Sequence, residues 1–298
     1  MRFADCKFSF VKHYKIFFAI SIIFLLIGIG SMIVKGFNLG IDYTGGSLMD
    51  VQFNKPVTVT QVRETLKKHD LGNAIIQLES ADAQVSEAKG VLIRTSIIND
   101  ETRREVMSDL TKDLGEYKVN RVENVGATVG GELIQQAVLA IVISWVLMII
   151  YITIRFQFKF AIAAIIALVI DVLVTVSYFS LLHLEIDSTF VAALLTVVGY
   201  SINGTIVIFD RIRENLKMHR RSETMTDLVD HSIWATMTRT MYTNGTSIFA
   251  VLAIFVFGGE TIHNFSFAML VGFCSGCYTS IFLSGPMWLL LSGHKAGE

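Results

Sequence analysis

Gly199-Tyr200-Ser201-Ile202-Asn203-Gly204-Thr205-Ile206-Val207-Ile208-Phe209-Asp210-Arg211-Ile212-Arg213-Glu214-Asn215 decides how this chain is read, because small and polar groups interrupt an apolar run that ends in charge. A helix needing only to span lipid would be Leu and Ile throughout, since Ser and Asn within a bilayer are stabilised only against another helix or a wet cavity. At 100° per residue Gly199, Asn203 and Asp210 lie within about 40° of one another, a single narrow polar stripe. The expectation is a transmembrane bundle organised around that stripe.

Working outward, composition agrees. The 298 residues are 52% hydrophobic with only 2 Pro, and a mean hydropathy of +0.55 is too apolar for a domain with a fully solvated surface. Formal net charge is -1, which gives no field for nucleic acid, so charge is informative only loop by loop. Apolar runs at about 16–34, 133–154, 160–182, 189–209, 240–257 and 265–291 predict six spans. The first follows Arg2, Lys7, Lys12 and Lys15 as a signal peptide would, but its length and the lack of a small-x-small cleavage site predict a retained helix.

Between the first two runs lie some 80 residues of ordinary soluble composition. Leu48–Phe53, Asn73–Glu79, Gly90–Ile98 and Tyr117–Val125 read as strands, and Thr60–Leu71 and a helix capped by Asn99 and closed by Gly115 read as helices. The order βαββαβ predicts a ferredoxin-like α+β module. The expected domains are 1–36 (cytoplasmic N-terminus and first span), 37–130 (the α+β domain) and 131–298 (five further spans).

Orientation follows from Lys and Arg. Residues 1–15, Arg155–Lys159 and 210–239 are basic, while His183–Asp187 is acidic and the 258–264 turn carries only Glu260. That alternation predicts both termini in the cytoplasm and the 37–130 domain outside it. The 210–239 segment, with Arg211, Arg213, Lys217, Arg220 and Arg221 among Ile and Leu, is open to two readings: an amphipathic helix on anionic lipid, or a docking site for a cytoplasmic partner.

Few residues suggest chemistry. Cys6, Cys274 and Cys277 form no disulfide set, and the C-x-x-C pair lies within an apolar run where small-residue packing is the expectation. Gly272 and Gly276 form a G-x-x-x-G packing motif in the last span. Asp171 stands midway along the third span with Thr175 and Tyr178 on its face. Such a carboxylate costs several kcal/mol in lipid and is either an ion or proton site or a packing group bonded to those neighbours. Arg239, with Thr243, Thr246 and Ser247 following on one face, predicts a polar lane in the fifth span. No nucleophile, metal cluster or paired carboxylates converge, so the chain reads as neither an enzyme nor a cofactor or metal protein.

Taken together, F-N-L-G-I-D-Y-T-G-G-S at 37–47 (with Gly40, Asp42, Gly45 and Gly46), V-E-N-V-G at 122–126 and the 199–215 stretch (with Gly199, Tyr200, Ser201, Asp210 and Arg211) resemble the SecF side of the bacterial SecD/SecF protein-export family, relatives of the resistance-nodulation-division transporters. The resemblance implies a multi-pass subunit of the bacterial cytoplasmic (inner) membrane. It would pair with SecD, associate with the SecY channel and assist export of unfolded polypeptide using the proton motive force or a sodium gradient. It further implies that the Asn203-Gly204 position and Arg239 mark an ion pathway, to which Asp171 and Thr243, singled out above from the residues alone, are added as candidates. Where many such chains have Asn-Asp, this one has Asn203-Gly204. A non-transducing assembly subunit therefore stands as the second expectation, and a small-molecule exporter as a third.

Overall fold

The computed structural model describes residues 8–79, 86–218, 224–259 and 262–293. Arg2, Cys6, Lys7, Arg220, Arg221 and Glu260 lie outside these residues. Two compact units are resolved, one running from Leu39 to Ala137, the other comprising the described residues up to Asn38 and from Val138 onward.

The Leu39–Ala137 unit begins with a turn of helix, α2 (Ile41–Thr44), numbered after the first span, α1 (Tyr14–Lys35). The sequence Gly-Ile-Asp-Tyr-Thr-Gly-Gly needs its glycines for geometry. Gly40 is the N-cap, its carbonyl accepting from the Tyr43 and Thr44 amides at 3.1 Å each. Gly45 and Gly46 both have positive φ, and a Cβ on Gly46 would lie 2.5 Å from the Thr95 carbonyl.

From Gly46 the chain runs β1 (Gly46–Thr58), α3 (Val59–Lys67), β2 (Ile75–Glu79), β3 (Glu87–Thr95), α4 (Asp100–Leu114) and β4 (Tyr117–Val125). All pairings are antiparallel, in the order β2-β3-β1-β4, with Leu48 opposite Arg94 and Glu123. Alternate residues Met49, Val51 and Phe53 of β1 and Val91 and Ile93 of β3 form one core with Val62 and Leu66 of α3 and Val106 and Leu110 of α4. Helix starts follow capping chemistry. Thr58 and Gln61 form a capping box, and the Asn99 side chain accepts from the Thr102 amide at 2.7 Å. Gly115 ends α4 at φ 97°.

Polar contacts tie α3 to α4. The Lys68 ammonium donates to Asp113 at 2.6 Å and the Thr65 hydroxyl at 2.8 Å, holding the Asp113 carboxyl below its ordinary range; the same contact holds Lys68 above its own. A carboxylate with a depressed folded-state value contributes stability above the ordinary carboxylate range and loses it as pH falls through the depressed value. Protection of α3 and α4 amides in the intact protein, taken relative to intrinsic exchange at each pH, should fall selectively on acidification below the ordinary carboxylate range. Asp113→Asn should reduce that acid sensitivity and leave the part due to Asp109, which Lys112 and His69 likewise hold below the ordinary range.

The other unit is helical. Among the described residues, six helical stretches are long and apolar enough to cross a membrane: α1, α5 (Ala127–Arg155), α6 (Phe158–Leu182), α7 (Ser188–Lys217), α8 (Met225–Phe257) and a composite last span. That composite is α9 (His263–Tyr278), a π-helical turn (Thr279–Ser284) and α10 (Gly285–Leu291), with Pro286 in the first turn of α10. α6, α7 and the last span are the buried centre, while α1 and α5 expose most of their apolar side chains. Phe160 stacks on Trp288 at 4.7 Å near the Arg155 end, and Phe179 meets Phe190 at 4.3 Å near the other.

The 210–239 segment is corrected by the structure. It is no separate surface helix: α7 continues to Lys217 and α8 starts at Met225, so the charged flanks extend two spanning helices. Thr226, Leu228, Val229 and Ile233 are buried, and Asp230 accepts from the main-chain amides of Phe10 (2.9 Å) and Val11 (3.0 Å) and from the Ser9 hydroxyl. Trp234 adds a bond from Nε1 to the Phe8 carbonyl at 2.9 Å. This part of α8 thus anchors the segment preceding α1.

Candidate functional site

Two polar centres lie within the helical unit, on different faces of α7. The buried one is built around Asp171, which is 0% exposed. α9 reaches α7 closely because of its glycines. A Cβ on Gly272 would lie 2.2 Å from Val197, and one on Gly276 would lie 2.9 Å from Ser201. That approach brings hydroxyls from both helices to the carboxylate of α6. Ser201 donates to Asp171 Oδ2, Ser275 donates to Oδ1 at 2.6 Å, and Thr279 lies 3.0 Å from both oxygens.

This corrects the expected partners. Thr175 donates to the main-chain carbonyl of Asp171 at 2.9 Å, the usual bond of a hydroxyl to the residue four back. Tyr178 packs against Phe24 at 5.0 Å and lines a groove with Ile20 and Ser21. Neither holds the carboxyl. The hydroxyls that do are 30, 104 and 108 residues away in sequence.

The second centre is a niche of about 40 Å³ between α7 and α8, lined by Tyr200, Asn203, Gly204, Val207, Arg239, Thr240, Thr243 and Asn244. It has room for one or two waters. Tyr200 closes one side, stacking on Phe273 at 4.0 Å and donating to the Thr243 carbonyl at 2.9 Å. Asn244 is buried and donates to the Thr240 carbonyl at 2.8 Å. Gly204 links the two centres, since a Cβ there would meet the Ser280 side chain at 3.3 Å, one residue beyond Thr279. Arg239 makes no ion pair among the described residues.

The stripe that drew attention in the sequence faces outward. Gly199, Asn203 and Asp210 are exposed, and a Cβ on Gly199 would touch nothing within 4 Å. The buried face of α7 runs through Ala193, Val197, Ser201, Thr205, Ile208 and Ile212, so Ser201 and Thr205 are the polar groups of the core. Thr243 and Thr246 are exposed too, Thr246 bonding to carbonyls of its own helix. Arg239 stands near the middle of α8 beside Asn203 and Gly204, where a span starting at 240 had put it at a helix end. At the Lys217 end of α7, Asp210 lies 3.5 Å from Arg155, and Arg211 pairs with Glu214 at 2.7 Å. Such exposed pairs contribute about 1 kcal/mol or less.

The structure therefore brings Asn203, Gly204, Arg239 and Thr243 together and places Asp171 apart from them. Among the described residues the free cysteines are Cys274 and Cys277, both on α9, with Cys274 in the groove beside Ser275.

Residues 106–294 match the family model for the C-terminal part of the protein export membrane proteins SecD and SecF, and residues 30–57 match the SecD/SecF GG motif, which contains Gly45 and Gly46. The chain belongs to the SecD/SecF family. A protein translocase subunit SecF from Acidaminococcus fermentans is 67% identical over 283 residues, covering 95% of this chain and 97% of that protein. One from Sebaldella termitidis is 39% identical over 96% of this chain and 92% of its own length. Among solved structures, SecDF of Thermus thermophilus, a translocon-associated membrane protein, superposes with a TM-score of 0.89 at 32% identity over 99% of this chain. SecDF in a super-membrane-facing form gives 0.70 at 33% identity over 97%. This SecD/SecF chain spans 40% and 39% of those two SecDF chains.

Proposed function

We propose that this chain is the SecF-type subunit of a bacterial protein translocase, joined to a SecD partner in the cytoplasmic membrane and promoting polypeptide export with energy from an ion gradient. The observation that carries this is Arg239: a cation near the middle of a spanning helix, in an outward-facing niche, with no ion pair among the described residues. An arginine at that depth costs several kcal/mol unless it meets a carboxylate or water. A carboxylate on a spanning helix of SecD is the partner that fits. Asn203, Gly204 and Thr243 would form the rest of that contact, and the outward stripe Gly199–Asn203 its edge.

The α+β unit, with the strand order β2-β3-β1-β4, fits a ferredoxin-like domain. Residues 37–130 would lie outside the cytoplasm and receive emerging polypeptide, while the basic ends of α5 and α7 would remain inside, near anionic lipid and the SecY channel complex. Labelling of a cysteine introduced at Lys89 tests the orientation. The expected result is modification by an impermeant reagent added outside intact spheroplasts. Modification only after lysis would invert the topology. For function, inner-membrane vesicles containing SecY complex, SecD and this chain should export a preprotein faster when a gradient is imposed than vesicles lacking the chain, and equal rates would reject the reading.

A further inference from the structure

The buried carboxylate has a peculiarity independent of Arg239. Residues 16–34, 160–182, 189–209 and 264–291 contain no Asp, Glu, Lys, Arg or His besides Asp171. The elements packed against α6 therefore bring it no counter-charge. Their other titratable groups are engaged or turned elsewhere. Tyr200 donates to the Thr243 carbonyl, Tyr278 donates to the Phe17 carbonyl, Tyr178 and Cys274 line the groove, and Cys277 lies on the face of α9 opposite Ser275. Among the described residues, the hydrogen-bond partners of the Asp171 carboxyl are hydroxyls alone.

Hydroxyls differ from main-chain amides in one way that matters here. An N–H can only donate, whereas a Ser or Thr hydroxyl can turn and accept, so a hydroxyl cage serves a charged and a neutral carboxyl equally without repacking. Thr279 has its second position already provided: its Oγ1 lies 3.0 Å from both Asp171 oxygens and 3.3 Å from the Gly276 carbonyl. When Asp171 is ionised, Thr279 donates to it. When Asp171 carries a proton and donates to Thr279, the Thr279 hydroxyl turns to Gly276. Only hydrogen bonds change, and one proton is taken from or returned to water. The contacts at 2.6 and 3.0 Å are hydrogen-bond distances, with a proton between each pair of oxygens.

Thr279 also opens the π-helical turn, and the next residue, Ser280, sits against Gly204. Wide turns of this kind interrupt the regular ladder and are commonly found at functional sites. Ser275 borders a groove of about 410 Å³ between α1, α6 and α9, which puts the carboxyl one hydroxyl away from the bundle exterior. We propose that Asp171 is a reversible proton-binding site, that Thr279 is its rotor, and that the π-turn passes its state through Ser280 to Gly204 and the Arg239 niche. The proton binding stands alone, while its consequence for export rests on the ion-coupled reading above.

Infrared difference spectroscopy of the full chain in lipid bilayers tests this. Wild type minus Asp171→Asn should show one carboxylic-acid carbonyl band that converts to a carboxylate band as pH is raised from mildly acidic to alkaline. Asp171→Glu should shift the band and keep the titration, Thr279→Val should displace the midpoint, and Thr279→Ser should restore it. A band that persists or is absent over the whole range would overturn the proposal. So would conversion by sodium at fixed pH, which would make this an alkali-cation site. In export assays with SecD, Asp171→Asn should lose the gradient-stimulated component at normal membrane abundance. Normal stimulation in that variant would remove the coupling and leave a proton site without a role in export. Absence of gradient dependence in wild type would instead reject the functional reading and leave the titration untouched.

Discussion

Replacing Gly272 by leucine is expected to prevent a stable subunit from accumulating. A Cβ there would lie 2.2, 2.6 and 2.9 Å from the three side-chain atoms of Val197, so α9 must leave α7 before any further atoms are considered. Overpacking commonly costs about 1–3 kcal/mol and more where backbone must move. Here the displaced helix also carries Ser275 and Thr279 away from Asp171 and Phe273 away from Tyr200, so the loss is expected to exceed that range. Thermal stability of the detergent-solubilised protein is the readout. Gly199→Leu is the control, because nothing lies within 4 Å of its Cβ position. It should fold normally and impair only association with SecD. Gly272→Ala should be partly rescued by Val197→Ala, since neighbouring substitutions that share one steric conflict are not additive.

The second large effect concerns pairing with SecD. Truncating one member of a buried ion pair costs about 3–5 kcal/mol, on the order of a hundredfold or more in an association constant. Arg239→Gln should therefore abolish co-purification of SecD at normal membrane levels. Gly204→Asp creates a competitor: its side chain would start 3.3 Å from Ser280, in the niche that holds Arg239, and an internal ion pair would then replace the one across the interface. The variant should weaken SecD binding and alter gradient dependence, and adding Arg239→Gln should not weaken binding further. Undiminished binding in both single variants would make position 204 a packing site only.

What the sequence made legible were features set by local chemistry. Asn99 and Gly115 bounded a helix by capping rules, and the apolar runs located six candidate spans. The helix ends at 210–239 were obscured because the end of an apolar run is not the end of a helix. Lys217 and Met225 end and begin helices that continue well past the apolar length. The stripe through Gly199, Asn203 and Asp210 was visible by spacing, but periodicity defines a polar side without saying what it faces. In this chain the neighbours of α7 took the Val197–Ser201 side. The Asp171 cage was the least legible part. Ser275 and Thr279 stand four apart in an apolar run, a pattern equally consistent with hydroxyls bonding back to their own helix, as Thr175 does. A π-turn has no comparable signature in composition.

The central claim is that Arg239 joins this chain to SecD in a gradient-driven export device. Its most direct test is preprotein export by proteoliposomes containing SecY complex, SecD and either wild-type chain or Arg239→Gln, measured as the imposed ion gradient is increased. The account predicts that export rises with the gradient for wild type and stays at the level of channel alone for Arg239→Gln; an equal rise in both would contradict it.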